Sequence, residues 1–394
     1  MDIYTHKRII MSSSYISKRY AKAASTAMGR SDVLARSYDD VIDLSLGDPD
    51  LITDRRIIDA AFADACKGHT KYTEFRGDPE LRGEIRRFYK EEYDMDVSDE
   101  EVFVTASGCI AMYLALEATL DDGDEVILCA PYFTPYPDQV RLARGVPVEL
   151  PTYEEEDFQI NFDKLGSLIT PKTKAIVINS PCNPTGMTLT RETMSKLADA
   201  AEKHDLLVIA DDIYTAFSFS EKFVPFASLP GMRERTITIN SFSKNFTMTG
   251  WRVGNIIAPP DVVRTVQRIN ENVVFTAPSI SQRAAIYALR MRDEIQPPLV
   301  EEYRRRAYYA AERINKLKGL SVLYPPKGTF YLFPNVKATG LTSEKAADKI
   351  LKEAHVLTLP GNAFGACGEG YLRLALTCGI DKLCEAFDRI EKIF

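Results

Sequence analysis

A chain of 394 residues is long for one domain and suggests a large domain with a smaller companion. Its 45% apolar content supports a substantial core and excludes a disordered polymer. With 49 Lys and Arg against 56 Asp and Glu, a net −7 and no basic block, nucleic-acid binding is not its main work.

Residues 1–30 read as an irregular arm followed by a modest helix. They lack the apolar core of a signal peptide, and no apolar stretch in the chain is long enough to span a membrane. From about residue 54 the chain alternates between strand-like and helix-like runs. Strands are expected over 101–105, 125–129, 146–150, 174–179, 206–210, 236–240 and 253–258, and helices over 110–119, 134–143 and 190–204. Continuous apolar strands separated by helices indicate a mostly parallel sheet covered on both faces. After about residue 290 the pattern changes to a charged helix over 301–317, a strand over 329–333, a helix over 343–354, a strand over 371–376 and a last helix from Asp381. The expected division is an arm and part of a small domain over 1–50, a large α/β domain over 51–290 and a smaller α+β domain over 291–394.

The seven cysteines (Cys66, Cys109, Cys129, Cys182, Cys367, Cys378 and Cys384) have no zinc or redox spacing. The four histidines are dispersed, so no His-based metal site is expected. Reduced thiols in a cytoplasmic protein are the expectation.

Ligands in open α/β sheets bind beyond the carboxyl ends of the strands. Ser107-Gly108, Tyr132-Phe133, Asn183, Asp211 and the run from Ser241 to Lys244 all follow apolar strands, so the fold can bring them to one crevice. The segment 241–254, S-F-S-K-N-F-T-M-T-G-W-R-V-G, places Lys244 among apolar and aromatic neighbours with two hydroxyls nearby and Arg252 eight residues on. A desolvated lysine amine is nucleophilic, and a phosphate would want the hydroxyls and the guanidinium fork. Asn179-Ser180-Pro181-Cys182-Asn183-Pro184-Thr185-Gly186 closes a buried strand with a tight turn. In Ala210-Asp211-Asp212-Ile213-Tyr214, an acid buried after L-L-V-I-A needs a cation. Thr105-Ala106-Ser107-Gly108-Cys109 opens an apolar helix whose N-terminus could receive a phosphate, although Ser107 also serves as a simple N-cap.

These motifs resemble, in order over roughly residues 40 to 380, the fold type I pyridoxal-phosphate (PLP) enzymes of the class I/II, aspartate-aminotransferase-like family. The resemblance implies a mostly parallel, seven-stranded large-domain sheet and an aminotransferase moving an amino group between an L-amino acid and a 2-oxo acid. It implies that Lys244 carries PLP as a Schiff base and acts as general base, with Ser107, Gly108, Cys109, Ser241 and Arg252 holding the phosphate. Asp211 would keep the ring nitrogen protonated, with Asp212 left as the alternative. Tyr214 and Asn183 would donate to the phenolic oxygen, and Phe133 would stack on the ring. Gly47 and Arg373, with Asn183, would hold the substrate carboxylate. Tyr72 would reach the phosphate across a homodimer interface.

The family usually continues from its glycine motif with Thr-Pro where this chain has Thr53-Asp54, which bears on the local lid. Some aspartate-using relatives carry Lys where this chain has Cys109, so one argument for a dicarboxylate substrate is missing. Tyr4, Tyr15, Tyr20 and Phe330 are candidates to line an apolar side-chain pocket. Two alternatives use the same motifs. One is a C–S β-lyase. The other is a PLP-sensing regulatory module, disfavoured because only about 40 residues precede the match, too few for a DNA-binding domain.

Overall fold

The computed structural model describes residues 15, 17, 29 and 37–394. Tyr4, Tyr20 and most of the expected arm lie outside the described residues.

After a short strand β1 (Ile42–Asp43), seven strands form the main sheet: β2 (Val102–Thr105), β3 (Glu125–Ala130), β4 (Val146–Pro151), β5 (Thr173–Asn179), β6 (Leu207–Asp211), β7 (Thr236–Ser241) and β8 (Gly254–Ile257). Their order is β2-β8-β7-β6-β5-β3-β4. β8 alone runs opposite to the other six strands. The other six therefore end on one edge. Alternation along each strand feeds two cores. Val126, Leu128, Val177 and Ile209 face one cluster, and Ile127, Ile176, Ile178 and Val208 the other. Burial on both faces is why these strands read as unbroken apolar runs.

Two of the helices covering the sheet are capped by short polar side chains. Ser107 Oγ accepts from Ile110 N at 3.3 Å ahead of the helix Gly108–Thr119, and Thr190 Oγ1 from Thr193 N at 3.1 Å ahead of Arg191–Lys203.

A second body of structure is built around β9 (Tyr331–Leu332), β10 (Val356–Leu357), β11 (Leu359–Pro360) and β12 (Leu372–Ala375). β12 is the antiparallel centre of the sheet β11-β12-β9, and β1 pairs in parallel with β10. Leu44, Ile314, Ile350, Leu374 and Phe387 pack its core. The N-terminal strand thus joins the C-terminal part of the chain. Between the two bodies, Tyr214, Phe217, Leu299, Tyr303, Phe330, Tyr331 and Ala375 form a shared aromatic cluster.

The structure corrects two element boundaries. The helix expected over 301–317 runs from Arg292 to Ile314 and contains Pro297 and Pro298. Each proline costs a backbone hydrogen bond, offset by burial of Leu299, Tyr303, Ala307 and Ala310 farther along the helix. The strand expected over 329–333 shrinks to Tyr331–Leu332, with Thr329 at φ 59° before it. No helix among the described residues is long and apolar enough to cross a membrane.

Candidate active site

The chemistry-bearing residues meet at the carboxyl edge of the main sheet. Beyond β2, Ser107 has φ 119°, a conformation rarely adopted by a non-glycine residue. Thr105 Oγ1 donates to the Ser107 carbonyl at 3.0 Å and steadies that turn. The N–H groups of Gly108 and Cys109 then open the helix without intrahelical acceptors. Gly254 lets β8 pass close by. A Cβ there would lie 2.7 Å from the Asn240 carbonyl and 3.2 Å from Gly108 N.

Beyond β7, Ser241 Oγ accepts from Ser243 N at 3.2 Å and pairs with Ser243 Oγ at 2.9 Å, starting one helical turn, Phe242–Asn245. That turn projects Lys244. Its Nζ donates to the Gly47 carbonyl at 2.5 Å and lies 5.9 Å from the Phe330 ring centroid. Arg252 is exposed at φ 54°, and its guanidinium donates to the Thr249 carbonyl at 2.7 Å.

At the end of β6 the two acids part. Asp211 is buried and accepts from the Tyr136 hydroxyl. No cation pairs with it among the described residues, and burial pushes its pKa up to about 6, against the pull of the Tyr136 hydrogen bond. Asp212 points away, toward Tyr89 and Tyr93, whose phenols feel its charge, and it lines a cavity with Ser180, Arg191, Lys222 and Phe226. Burial and then the Asp211 charge push the Asp212 pKa well up. Alternation along an extended strand accounts for the divergence.

Tyr214 is buried with its hydroxyl 3.2 Å from that of Tyr331. Desolvation, then Tyr331 and Asp211, hold its phenol well above the usual range. Past β5, Asn183 N donates to Asn179 Oδ1 at 2.8 Å, and Asn183 Oδ1 accepts from Arg373 Nη1 at 3.3 Å. Arg373, on β12, is buried between the Tyr331 and Phe364 rings, 4.8 and 4.9 Å from their centroids. It also donates to the Ser45 carbonyl, while its Nε has no partner among the described residues. Desolvation lowers its pKa. Past β3, Phe133 packs edge-on against Tyr136 at 5.6 Å, which brings its ring near the Asp211 corner.

Cys109 registers the convergence. Its thiol is raised by desolvation and by Asp211, and lowered by Arg252 and Lys244, so all three lie within electrostatic reach. Contacts thus join Lys244 to Gly47, Asn183 to Arg373, Arg373 through Tyr331 to Tyr214, and Phe133 through Tyr136 to Asp211, while Ser241 lies beside Gly108 and Cys109 is within reach of Asp211, Arg252 and Lys244.

Tyr72 is not part of these contacts. It is 79% exposed and packs against Phe275 with ring centroids 4.8 Å apart. Phe330 is sealed in the shared aromatic cluster and does not line an open pocket; Tyr15 is 84% exposed. Sequence reading missed Tyr136 and Tyr331. Each is an aromatic in an apolar context whose hydroxyl meets a site residue only after folding, Tyr136 to Asp211 and Tyr331 to Tyr214.

A buried acid, a lysine after a strand, and an arginine beside an asparagine on a mostly parallel sheet match the site expected of a fold type I PLP enzyme. The family model for aminotransferase class I and II matches residues 39–390, and the chain belongs to that family. It is 42% identical over 366 residues to an aspartate aminotransferase of Pyrococcus abyssi, covering 91% of this chain and 93% of the relative. It is 40% identical to an aromatic-amino-acid aminotransferase of Thermococcus litoralis, again covering 91% of this chain and 93% of the relative. Among solved structures, an aromatic aminotransferase from Pyrococcus horikoshii superposes with a TM-score of 0.88 at 39% identity, covering 92% of this chain and 98% of that one. The protein is an aminotransferase, and these relatives give the β-lyase reading no support. The family works with PLP.

Proposed function

We propose that this crevice holds PLP, with Lys244 as its covalent anchor, and transfers an amino group between an L-amino acid and a 2-oxo acid. The observation that carries the reading is Asp211. A carboxylate buried with only a tyrosine hydroxyl and a backbone N–H for company is costly until a cation arrives, and a protonated ring nitrogen is such a cation. The remaining donors fit the same group. Amides at the start of the helix Gly108–Thr119, Ser107, Ser241 and Arg252 suit a phosphate, Tyr214 and Asn183 a phenolic oxygen, and Phe133 a ring face. The unpaired Nε of Arg373 suits a ligand carboxylate approaching beside Asn183.

PLP, when bound, supplies an electron sink for the pair left as the substrate Cα–H bond breaks. Lys244 Nζ then serves as the base that takes and returns that proton. Asp211 holds positive charge at the ring nitrogen. Arg373 and the Gly47 backbone fix the substrate carboxylate, so the Cα–H bond meets Lys244 in one orientation.

Cys109 offers no cation for a second carboxylate, so one argument for aspartate as substrate is missing. The exposed Tyr72 is suited to act across a homodimer interface. The domain division over 1–50, 51–290 and 291–394 is supported by the pairing of β1 with β10 and by a main sheet confined between β2 and β8.

The test is Lys244→Ala. Borohydride should no longer fix PLP to the purified variant, and turnover should fall by about 10²–10⁴-fold. Undiminished fixation together with turnover overturns the assignment. A half-reaction panel with tyrosine, phenylalanine, leucine and aspartate then orders the side chains.

A further inference from the structure

Tyr331 touches three parts of the crevice from a fourth element. Its partner across the β9–β12 ladder is Ala375, so Arg373, two residues along β12, projects from the same face as Tyr331. The small Ala375 leaves the Tyr331 ring free to lie under the Arg373 guanidinium, 4.8 Å from its centroid. The hydroxyl end reaches Tyr214 Oη at 3.2 Å. It also fills the space that a Gly47 Cβ would need, 1.7 Å from that position, and the Gly47 carbonyl is where Lys244 donates.

Two phenols that share one hydrogen bond divide the roles. Tyr214 Oη has no other hydrogen-bond partner among the described residues. Alone in the site, Tyr214 donates to Tyr331; when a ligand oxygen takes the Tyr214 proton, the Tyr331 hydroxyl turns to donate to Tyr214 Oη, and without Tyr331 the Tyr214 hydroxyl rotates freely.

We propose that Tyr331 is a positioning residue for transamination, aiming the Tyr214 hydroxyl at the reactants and flooring the Arg373 guanidinium. This rests on the reading that Tyr214 and Arg373 face cofactor and substrate. It separates two functions in one side chain: the hydroxyl acts on the cofactor end, and the ring acts on carboxylate recognition. The charged and titratable groups facing Tyr214 are Tyr331 from β9, Arg373 from β12, Asp211 from β6 and Tyr136 past β3, and removing the Tyr331 hydroxyl leaves the other three unchanged in type.

The experiment compares Tyr331→Phe, Tyr331→Leu, Tyr214→Phe and the core control Phe217→Leu as PLP-loaded proteins. The readouts are the pH midpoint of the visible cofactor absorbance, the melting temperature, and kcat and KM separately. A donor lost from the phenolic oxygen leaves it more negative and its neighbouring nitrogen more basic. Tyr331→Phe should therefore raise the midpoint by about 0.4–1 pH unit, the equivalent of one hydrogen bond. It should lower kcat by about 2–10-fold with KM within about twofold. Tyr331→Leu should in addition raise KM for amino and oxo acids by about 3–30-fold as the cation–π floor is lost. Phe217→Leu should lower the melting temperature without moving the midpoint. If Tyr214→Phe moves the midpoint and Tyr331→Phe does not, the proposal is overturned while the site reading stands. If neither moves it, the assignment of Tyr214 fails and takes this proposal with it.

Discussion

Burial of Asp211 makes the protein's stability depend on whether a cation sits beside it. Its folded pKa is about 6 against an ordinary 3.8, a difference of about 2 units. At ~1.36 kcal/mol per unit, the ionised carboxylate costs the cofactor-free protein about 3 kcal/mol. The sign follows from proton counts. Between about pH 4 and pH 6 the folded state keeps a proton that the unfolded state has released, so stability falls as pH rises through that window and stays low above it.

Asp211→Asn removes the titration while keeping an oxygen to accept from Tyr136. At pH 8 the cofactor-free variant should be more stable than the natural protein by about 2–3 kcal/mol. With an unfolding entropy of ~2.1 cal/mol/K per residue over 394 residues, that is a rise of about 3 °C in melting temperature. Near pH 4 the two should coincide. Saturating PLP should reverse the order, because only the carboxylate gains from a ring cation. The assay is thermal unfolding of both proteins at pH 4 and pH 8, with and without PLP, alongside Asp212→Asn. Equal stability at pH 8 without cofactor, or an undiminished gain from PLP in Asp211→Asn, refutes the reasoning. Loss of that gain in Asp212→Asn alone would move the role to Asp212.

Three further outcomes follow from the geometry. Arg373→Lys keeps the charge but loses the fork, so kcat/KM for amino and oxo acids should fall by roughly 30–100-fold, chiefly through KM, in steady-state assays. Gly47→Ala would set a methyl 1.7 Å from Tyr331 Oη, and should cost about 1–3 kcal/mol in denaturant unfolding as well as weaken the carboxylate end of the site. Tyr72→Ala and Lys244→Ala, each impaired alone, should on subunit mixing recover about a quarter of full activity, since half the dimers are mixed and each of those holds one intact site; no recovery would mean Tyr72 does not act across subunits.

The main sheet was legible because strands buried on both faces write themselves as apolar runs. The residues after those runs, Ser107, Asn183, Asp211 and Ser241 to Lys244, were legible because polar groups following buried strands need a partner. In the second body β12 and the site of β9 were legible, but β1, β10 and β11 were not, since strands of two residues carry no period. The prolines at 297 and 298 hid the first turns of the helix Arg292–Ile314.

Asp211 was chosen over Asp212 by the resemblance alone, because alternation assigns opposite faces without saying which face meets the site. The hydroxyls of Tyr136 and Tyr331 were hidden for a deeper reason. A tyrosine in an apolar stretch reads as core until its partner is known, and the partners lie 75 and 117 residues away in the chain. A motif records which groups carry the chemistry. What holds those groups lies elsewhere, Tyr136 in the main body for Asp211 and Tyr331 in the second body for Tyr214, so the residue to probe for the orientation of Tyr214 is on β9.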